Sequence, residues 1–199
     1  YIMMKKNRNE LKMSVVIPCR KGSTRCKNKN LRKFGNTTLL ENKIQMLKKS
    51  KYVSEIIVSS NDQEALDIAV QYGVRGFKRH DDLCYGDVPP AKVHESLAKC
   101  ASNEVFIYAS PVAPFMTVEK FDEIIKFWIE NPQHEVVAAS CSIKNFIWKD
   151  NKPHNFSIDG GIVGTQDLGD EYQIACADSI LITYTDVVIE NTCLFGSGD

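Results

Sequence analysis

The residues from Arg20 to Lys33 (Arg20-Lys21-Gly22-Ser23-Thr24-Arg25-Cys26-Lys27-Asn28-Lys29-Asn30-Leu31-Arg32-Lys33) carry the densest chemistry in this chain. From Leu11 through Leu40 there are eight Lys or Arg residues and no Asp or Glu, although the 199-residue chain has a formal net charge of zero. Positive charge is therefore concentrated locally. Gly22 and Ser23 let backbone N–H groups come close to an anion. Arg20, Arg25 and Lys29 can neutralise a triphosphate through charge-assisted hydrogen bonds. Charge and position alone also allow a solvated basic loop. The spacing is neither that of a Walker P-loop nor G-x-G-x-x-G, so neither motif supports an ATPase or a dehydrogenase.

The other candidate groups are more scattered. His80, His94, His134 and His154 show no metal-ligand spacing, and surface or core roles are expected for them. Asp81 and Asp82 are neighbours whose side chains project in different directions, as in a solvated loop. Phe121 and Trp128 fit one helix face and read as core. Trp148 falls in an irregular stretch and reads as packing.

The basic loop needs a strand ahead of it. Met13–Cys19 is a short apolar run suited to a buried parallel strand. Glu55–Ser60, Val105–Ala109 and Val136–Cys141 predict three more. Helical patterns lie between them. Leu40, Ile44 and Leu47 recur at helical spacing. Asn61 is expected to cap a helix whose face carries Ala65, Ile68, Ala69 and Tyr72, with Gly73 closing it. Thr117 predicts another cap, for Phe121, Ile124, Ile125 and Trp128, with Pro132 beyond the end. Strands alternating with helices predict an α/β fold with a mostly parallel sheet. In such sheets ligands bind at the carboxyl ends of strands, where the basic loop falls. Residues 142–172 are polar, with no clear period, and read as loops or an excursion from the core.

Composition narrows the class. Hydrophobic residues make up 43% of the chain and charged residues 25%, as in a globular protein with a sizeable core. No apolar run is long enough for a membrane span. Neutral net charge gives no general pull toward nucleic acid or an anionic membrane, and no aromatic residues interleave the basic loop. The seven cysteines, none spaced C-x-x-C, argue against a disulfide framework or zinc ribbon and suit a reducing cytoplasm. Tyr1 and Ile2 ahead of Met3 and Met4 read as an appended scar, with residues 1–12 a lead-in and 13–199 one domain.

With these residues in view, the chain resembles the acylneuraminate (CMP-sialic acid) cytidylyltransferase family. Val16-Ile17-Pro18-Cys19-Arg20, Gly22-Ser23 and Lys29-Asn30-Leu31 are similar to its opening signature. Val58-Ser59-Ser60-Asn61-Asp62, Arg79-His80-Asp81-Asp82-Leu83, Asp87, Ser110-Pro111-Val112-Ala113-Pro114-Phe115 and Asn191-Thr192-Cys193-Leu194-Phe195 resemble its later motifs, in the same order. The resemblance implies a Rossmann-like three-layer nucleotidyltransferase that joins CTP to a sialic or related nonulosonic acid with Mg²⁺ and releases pyrophosphate. It implies that Arg20 and Lys29 hold the β- and γ-phosphates. Asn30 lies near the α-phosphate and ribose, Arg79 near the base or ribose, and Ser110 at the acceptor. It further implies a homodimer in which residues 142–172 reach the partner.

The departures fall mainly on the acceptor side. Thr24, followed by Arg25, stands where the family often has Lys. Ser110 replaces a Gln and Met116 an Arg. Thr165-Gln166-Asp167-Leu168 stands for Arg-Gln-x-Leu, and Ala175-Cys176 or Ala177-Asp178 for Asn-Gly. The family's Asp-x-Asp metal motif would fall beyond Asp199, which leaves Asp87 and Asp178 as unassigned metal candidates and suggests a missing C-terminal part. Two alternatives stand beside the sialic acid reading. One is a cytidylyltransferase for another acceptor, such as the Kdo (3-deoxy-manno-octulosonate) type. That type is expected to resemble the chain only in the first strand and Gly-Ser, and Lys29-Asn30 argues against it. The other is a non-catalytic nucleotide-binding protein of the same fold.

Overall fold

The structure, a computed structural model, describes residues 7–23, 26–85, 88–158, 164–168, 179–192 and 194, and the backbone of 172–175. Arg25, Asp87, Cys176, Ala177, Asp178 and Cys193, singled out above, lie outside these residues. The chain divides into two compact units, one running to Ala138 and resuming near the C-terminus, the other Ala139–Cys176.

The first unit is built on β1 (Met13–Pro18), where Met13 through Ile17 are buried. A two-residue ribbon, β2 (Lys33–Phe34) with β3 (Thr37–Thr38), leads into α1 (Leu39–Leu47). Thr38 and Glu41 form a reciprocal capping box at its start. Then come β4 (Glu55–Ser60), α2 (Gln63–Gln71) and β5 (Arg75–Lys78). They are followed by α3 (Pro90–Lys99), β6 (Val105–Tyr108), α4 (Val118–Glu130) and β7 (Val137–Ala138). Strand order places β1 between β4 and β6, with β5 outside β4. All these pairings are parallel, in register Val16↔Ile57 and Val16↔Tyr108. The chain builds outward from β1 through β4 to β5, then returns to β1's other side with β6. That reversal opens a crevice at the carboxyl end of β1.

Packing follows from alternation along the strands. Val16, Ile57 and Phe106 are buried in one cluster with Leu97 and Ala98 of α3. Val15, Ile17, Val58 and Ile107 turn to the opposite face and are fully buried there. Their burial requires a second helical layer. Leu40, Ile44 and Leu47 of α1, with Phe121, Ile125 and Trp128 of α4, are wholly buried stripes suited to it. Each large side chain so placed contributes roughly 2 kcal/mol of hydrophobic stabilisation.

The second unit contains two short antiparallel pairs, β8 (Ser140–Ile143) with β11 and β9 (Trp148–Lys149) with β10 (Lys152–Pro153), β11 being Tyr172–Ala175. The chain then rejoins the sheet as β12 (Leu181–Tyr184), antiparallel to both β6 and β7, and ends in α5 (Thr185–Asn191). Val188 of α5 joins the Val16 cluster.

Several expectations need correction. The strand predicted over Val136–Cys141 is two strands: Val137–Ala138 joins the main sheet, and Ser140–Ile143 belongs to the second unit. Ser140–Ser142 is exposed and has no apolar face to offer a core. Asp62, not Asn61, caps α2, its side chain accepting Glu64 N–H. Gly73 does close that helix with φ +65°, and Thr117 does cap α4. Trp148 is 57% exposed, with its ring edge-on to Phe156, rather than packed away. The helix α3 had no prediction. Its Pro90 sits in the first turn, where a missing N–H goes unnoticed, and Val93 and Leu97 lie one turn apart.

Candidate functional site

The crevice is shaped first by the backbone beyond β1. Cys19 N–H still donates to Ser59 O at 2.9 Å, so the strand runs one residue past its end beside β4. The chain then turns at Gly22, whose φ of +76° suits a residue without a Cβ. A Cβ built there would stand 3.2 Å from Tyr85 Cε1. Gly22 thus makes the turn and the close approach. Beyond it, Asn28 at φ +51° starts a single 3-10 turn, Lys29–Leu31. Lys29 N–H donates to Cys26 O and Leu31 N–H to Asn28 O, at 3.2 and 3.0 Å. This turn brings Lys29 and Asn30 back toward Arg20.

The loop after β5 braces the same region. Arg79 N–H donates to Ser60 O at 2.8 Å, continuing the β4–β5 pairing. Arg20 Nη1 donates to Cys84 O at 2.9 Å. Asn61, at the end of β4, accepts Lys21 N–H on its side-chain oxygen and donates from its nitrogen to Asp81 and Tyr85. Asp82 instead pairs with His80, so the two neighbouring aspartates serve different contacts. Behind β6, α1 holds the loop that carries Ser110. The buried Lys43 amine donates to Ala113 O at 3.1 Å and Asn42 donates to Pro114 O at 3.1 Å.

Together these segments enclose a cavity of about 340 Å³. Arg20, Ser23, Lys29 and Asn30 line it from the loop after β1, Arg79 from the end of β5, and Ser110 from beyond β6. The structure therefore gathers six of the eight predicted site residues around one space. Gly22 shapes the loop without lining the space, and Arg25 lies outside the described residues. Cys26, Tyr108, Val112 and three residues of α3 (Val93, His94 and Leu97) line it as well. These were not anticipated. For α3, the one-turn spacing of Val93 and Leu97 was the available signal, and it places His94 beside them.

The electrostatics suit a polyanion. Arg20, Lys29 and Arg79 line the cavity, and no Asp or Glu does so among the described residues. Arg79 is only 3% exposed, yet its Nε has no partner among the described residues. Asn30, 8% exposed, leaves its side-chain oxygen unpartnered in the same way. Buried polar atoms are rarely left so, because an unmade hydrogen bond costs about 1–3 kcal/mol. Both side chains line the cavity. Burial pushes the Cys19 thiol up to about 11, against a hydrogen bond with Asn30, so it stays a thiol. Burial also lowers the pKa of His94, favouring neutral imidazole. Among the described residues no group of three or more His, Cys, Asp or Glu could hold a metal ion, so the Mg²⁺ implied by the resemblance finds no donor set among them. No helix among them is long and apolar enough to cross a membrane.

Comparison with known proteins gives a consistent picture. The family model described as cytidylyltransferase matches residues 14–144. The 3-deoxy-manno-octulosonate cytidylyltransferase of Francisella philomiragia is 27% identical over 129 residues, 64% of this chain and 50% of that protein. The chain thus aligns with half the length of this relative. Likeness to the Kdo type accordingly extends far beyond the first strand and Gly-Ser, contrary to expectation. The CMP-N,N'-diacetyllegionaminic acid synthase of Legionella pneumophila is 26% identical over 201 residues, 93% of this chain and 83% of that protein. Among solved structures, a CMP:2-keto-3-deoxy-manno-octonic acid synthetase complexed with CTP shares the fold with TM-score 0.66 at 13% identity, over 90% of this chain and 76% of its own. A cytidylyltransferase from Leptospira borgpetersenii gives TM-score 0.60 at 19% identity, over 90% and 63%.

Proposed function

The chain belongs to the cytidylyltransferase family, and from that premise we propose that it transfers CMP from CTP to an acidic sugar and releases pyrophosphate. The acceptor oxygen attacks the α-phosphorus, the bond to the β-phosphate oxygen breaks, and pyrophosphate departs with added negative charge. Preorganised cations that follow this charge lower the barrier. Arg20 and Lys29 take the β- and γ-phosphates. Asn30, near the α-phosphate, accepts a ribose hydroxyl at its free oxygen. Arg79 offers its unpartnered Nε to the base or ribose, and Ser110 faces the acceptor.

The observation that carries this reading is the pair of buried, unpartnered polar atoms, Asn30 Oδ1 and Arg79 Nε, in a cavity lined by three cations and no carboxylate among the described residues. The acceptor is a nonulosonic acid of the sialic or legionaminic kind. The similarity to the Legionella synthase supports this, since it runs over 93% of the chain, against 64% for the Francisella enzyme. A homodimer formed through residues 142–172 belongs to the same reading. It is supported by Trp148 and Ile158 there, two large apolar side chains each 57% exposed.

Pyrophosphate release from CTP tests the proposal, with sialic, legionaminic and other nonulosonic acids and Kdo as acceptors, with Mg²⁺ present and with it chelated. Release with a nonulosonic acid is the expected result. CTP binding without release for any acceptor would leave a nucleotide-binding protein of the same fold. Light scattering on the purified chain tests the dimer.

A further inference from the structure

Among the described cysteines, Cys19, Cys84 and Cys100 are buried and Cys141 belongs to the second unit; Cys26 alone lines the cavity, where it is half-buried. Its sulfur accepts a hydrogen bond from Arg32 Nη1 at 3.1 Å. Its carbonyl accepts the N–H of Lys29 at 3.2 Å, so Cys26 opens the turn that presents Lys29 and Asn30. Asn30 Oδ1 and Arg79 Nε, both at least nine-tenths buried and without partners among the described residues, line the same space. A half-buried sulfur therefore shares a cavity wall with two buried polar groups that have no partner among the described residues.

We propose that Cys26 is a modification site inside the nucleotide cavity. A group attached at its sulfur excludes the triphosphate, and a bound triphosphate shields the sulfur. The inference rests on the CTP reading of the cavity. Small alkylating agents and hydroperoxides are the two classes of reagent it takes. With iodoacetamide the sulfur loses its proton to solvent, attacks the methylene carbon and forms a C–S bond as iodide leaves. With a hydroperoxide the sulfur attacks the terminal oxygen. The O–O bond breaks, the thiol is oxidised to a sulfenic acid and the peroxide is reduced to water or an alcohol. Either product places added bulk on the turn that carries Lys29, in a cavity near the lower end of the range for small-molecule sites. Charge-assisted contact between Arg32 and the sulfur is altered at the same time.

The test uses the full chain. Calorimetry first gives the Kd for CTP of the untreated protein. Iodoacetamide labelling is then followed cysteine by cysteine by peptide mass spectrometry, with and without CTP. At about ten times its Kd, CTP should slow labelling of Cys26 about tenfold, because only free protein reacts. CTP binding should fall in step with Cys26 labelling. A Cys26→Ser protein should keep its own untreated CTP affinity after the same exposure. If the untreated chain binds no CTP, the functional reading fails and takes this site with it. If CTP binds but leaves Cys26 labelling unchanged, or if fully labelled protein binds CTP as before, the modification site alone is overturned.

Discussion

The side-chain oxygen of Asn61 accepts the backbone N–H of Lys21 at 2.9 Å, and so fixes the first turn of the basic loop against the end of β4. The nitrogen of the same amide donates to Asp81 Oδ1 at 2.7 Å and to Tyr85 OH at 2.8 Å. One buried side chain, 6% exposed, thereby sets the loop after β1 against the loop after β5. Asparagine supplies an acceptor and two donors at once, which is what this junction uses. Aspartate of the same shape supplies no donor when ionised.

Asn61→Asp is therefore expected to do more harm than its size suggests. It keeps the contact with Lys21 but sets a carboxylate against Asp81 and makes Tyr85 OH donate where it had accepted. A loss of about 1–3 kcal/mol, or roughly five- to 160-fold in kcat/KM for CTP, is expected. Steady-state kinetics with urea unfolding alongside separates loop damage from global loss. An aspartate variant with wild-type CTP kinetics would show that the junction does not position the loop.

Gly22→Ala tests the turn itself. The backbone sits at φ +76°, where an L-residue is strained by about 1–2 kcal/mol, and the new methyl meets Tyr85 Cε1 at 3.2 Å. Tyr85 cannot swing away without losing Asn61. The loop should shift, raising KM for CTP roughly tenfold, while the strain lowers the melting temperature by only about 2–8 °C. A large fall in melting temperature with unchanged KM would contradict this.

Arg79→Lys separates charge from geometry. The lysine retains a cation but lacks the buried Nε–H that has no protein partner. CTP affinity measured by calorimetry should fall by about 1–3 kcal/mol for Arg79→Lys, and by at least as much for Arg79→Ala. Arg20→Ala and Lys29→Ala should each cut turnover sharply. Unchanged turnover in both would remove the basic loop from the reaction.

Lys43 predicts a pH effect on stability. Burial at 1% exposure pushes its amine down to about 8 from an ordinary 10.5. Below pH 8 the folded protein holds a desolvated cation, at a cost of roughly 3 kcal/mol relative to a neutral amine. Between about pH 8 and 10.5 the unfolded chain binds the proton and the folded chain has released it, so this group adds stability as pH rises. The urea midpoint of the wild type should therefore climb relative to that of Lys43→Met across that window. Other titrations, including those of the raised thiols Cys19 and Cys100, cancel in the difference. A parallel pH dependence in the two proteins would refute the assignment.

How far the residues spoke for themselves varied along the chain. Strands β1, β4 and β6 were legible because their apolar runs are short, β-branched and punctuated, and burial on both faces demands such runs. The helices α1, α2 and α4 were legible from one-face periodicity. Val136–Cys141 misled because an apolar, β-branched beginning merges with a polar end, and only pairing with β12 or β11 assigns each part. The helix α3 was hidden by Pro89-Pro90, which reads as a break although a proline in the first turn is well tolerated.

The sequence by itself determined that positive charge follows the first strand, and that Gly22, Ser23, Lys29 and Asn30 stand at a spacing able to meet phosphates. Local chemistry suffices for that, because the loop is continuous in the chain. Only the tertiary structure decided that Arg79, Ser110 and α3 face the same space, and that Asn61 serves as a brace rather than a helix cap. Those relations depend on strand order. The reversal at β1 brings together segments up to 94 residues apart in the chain, from Pro18 to Val112, and no local pattern encodes which side of β1 the later strand takes.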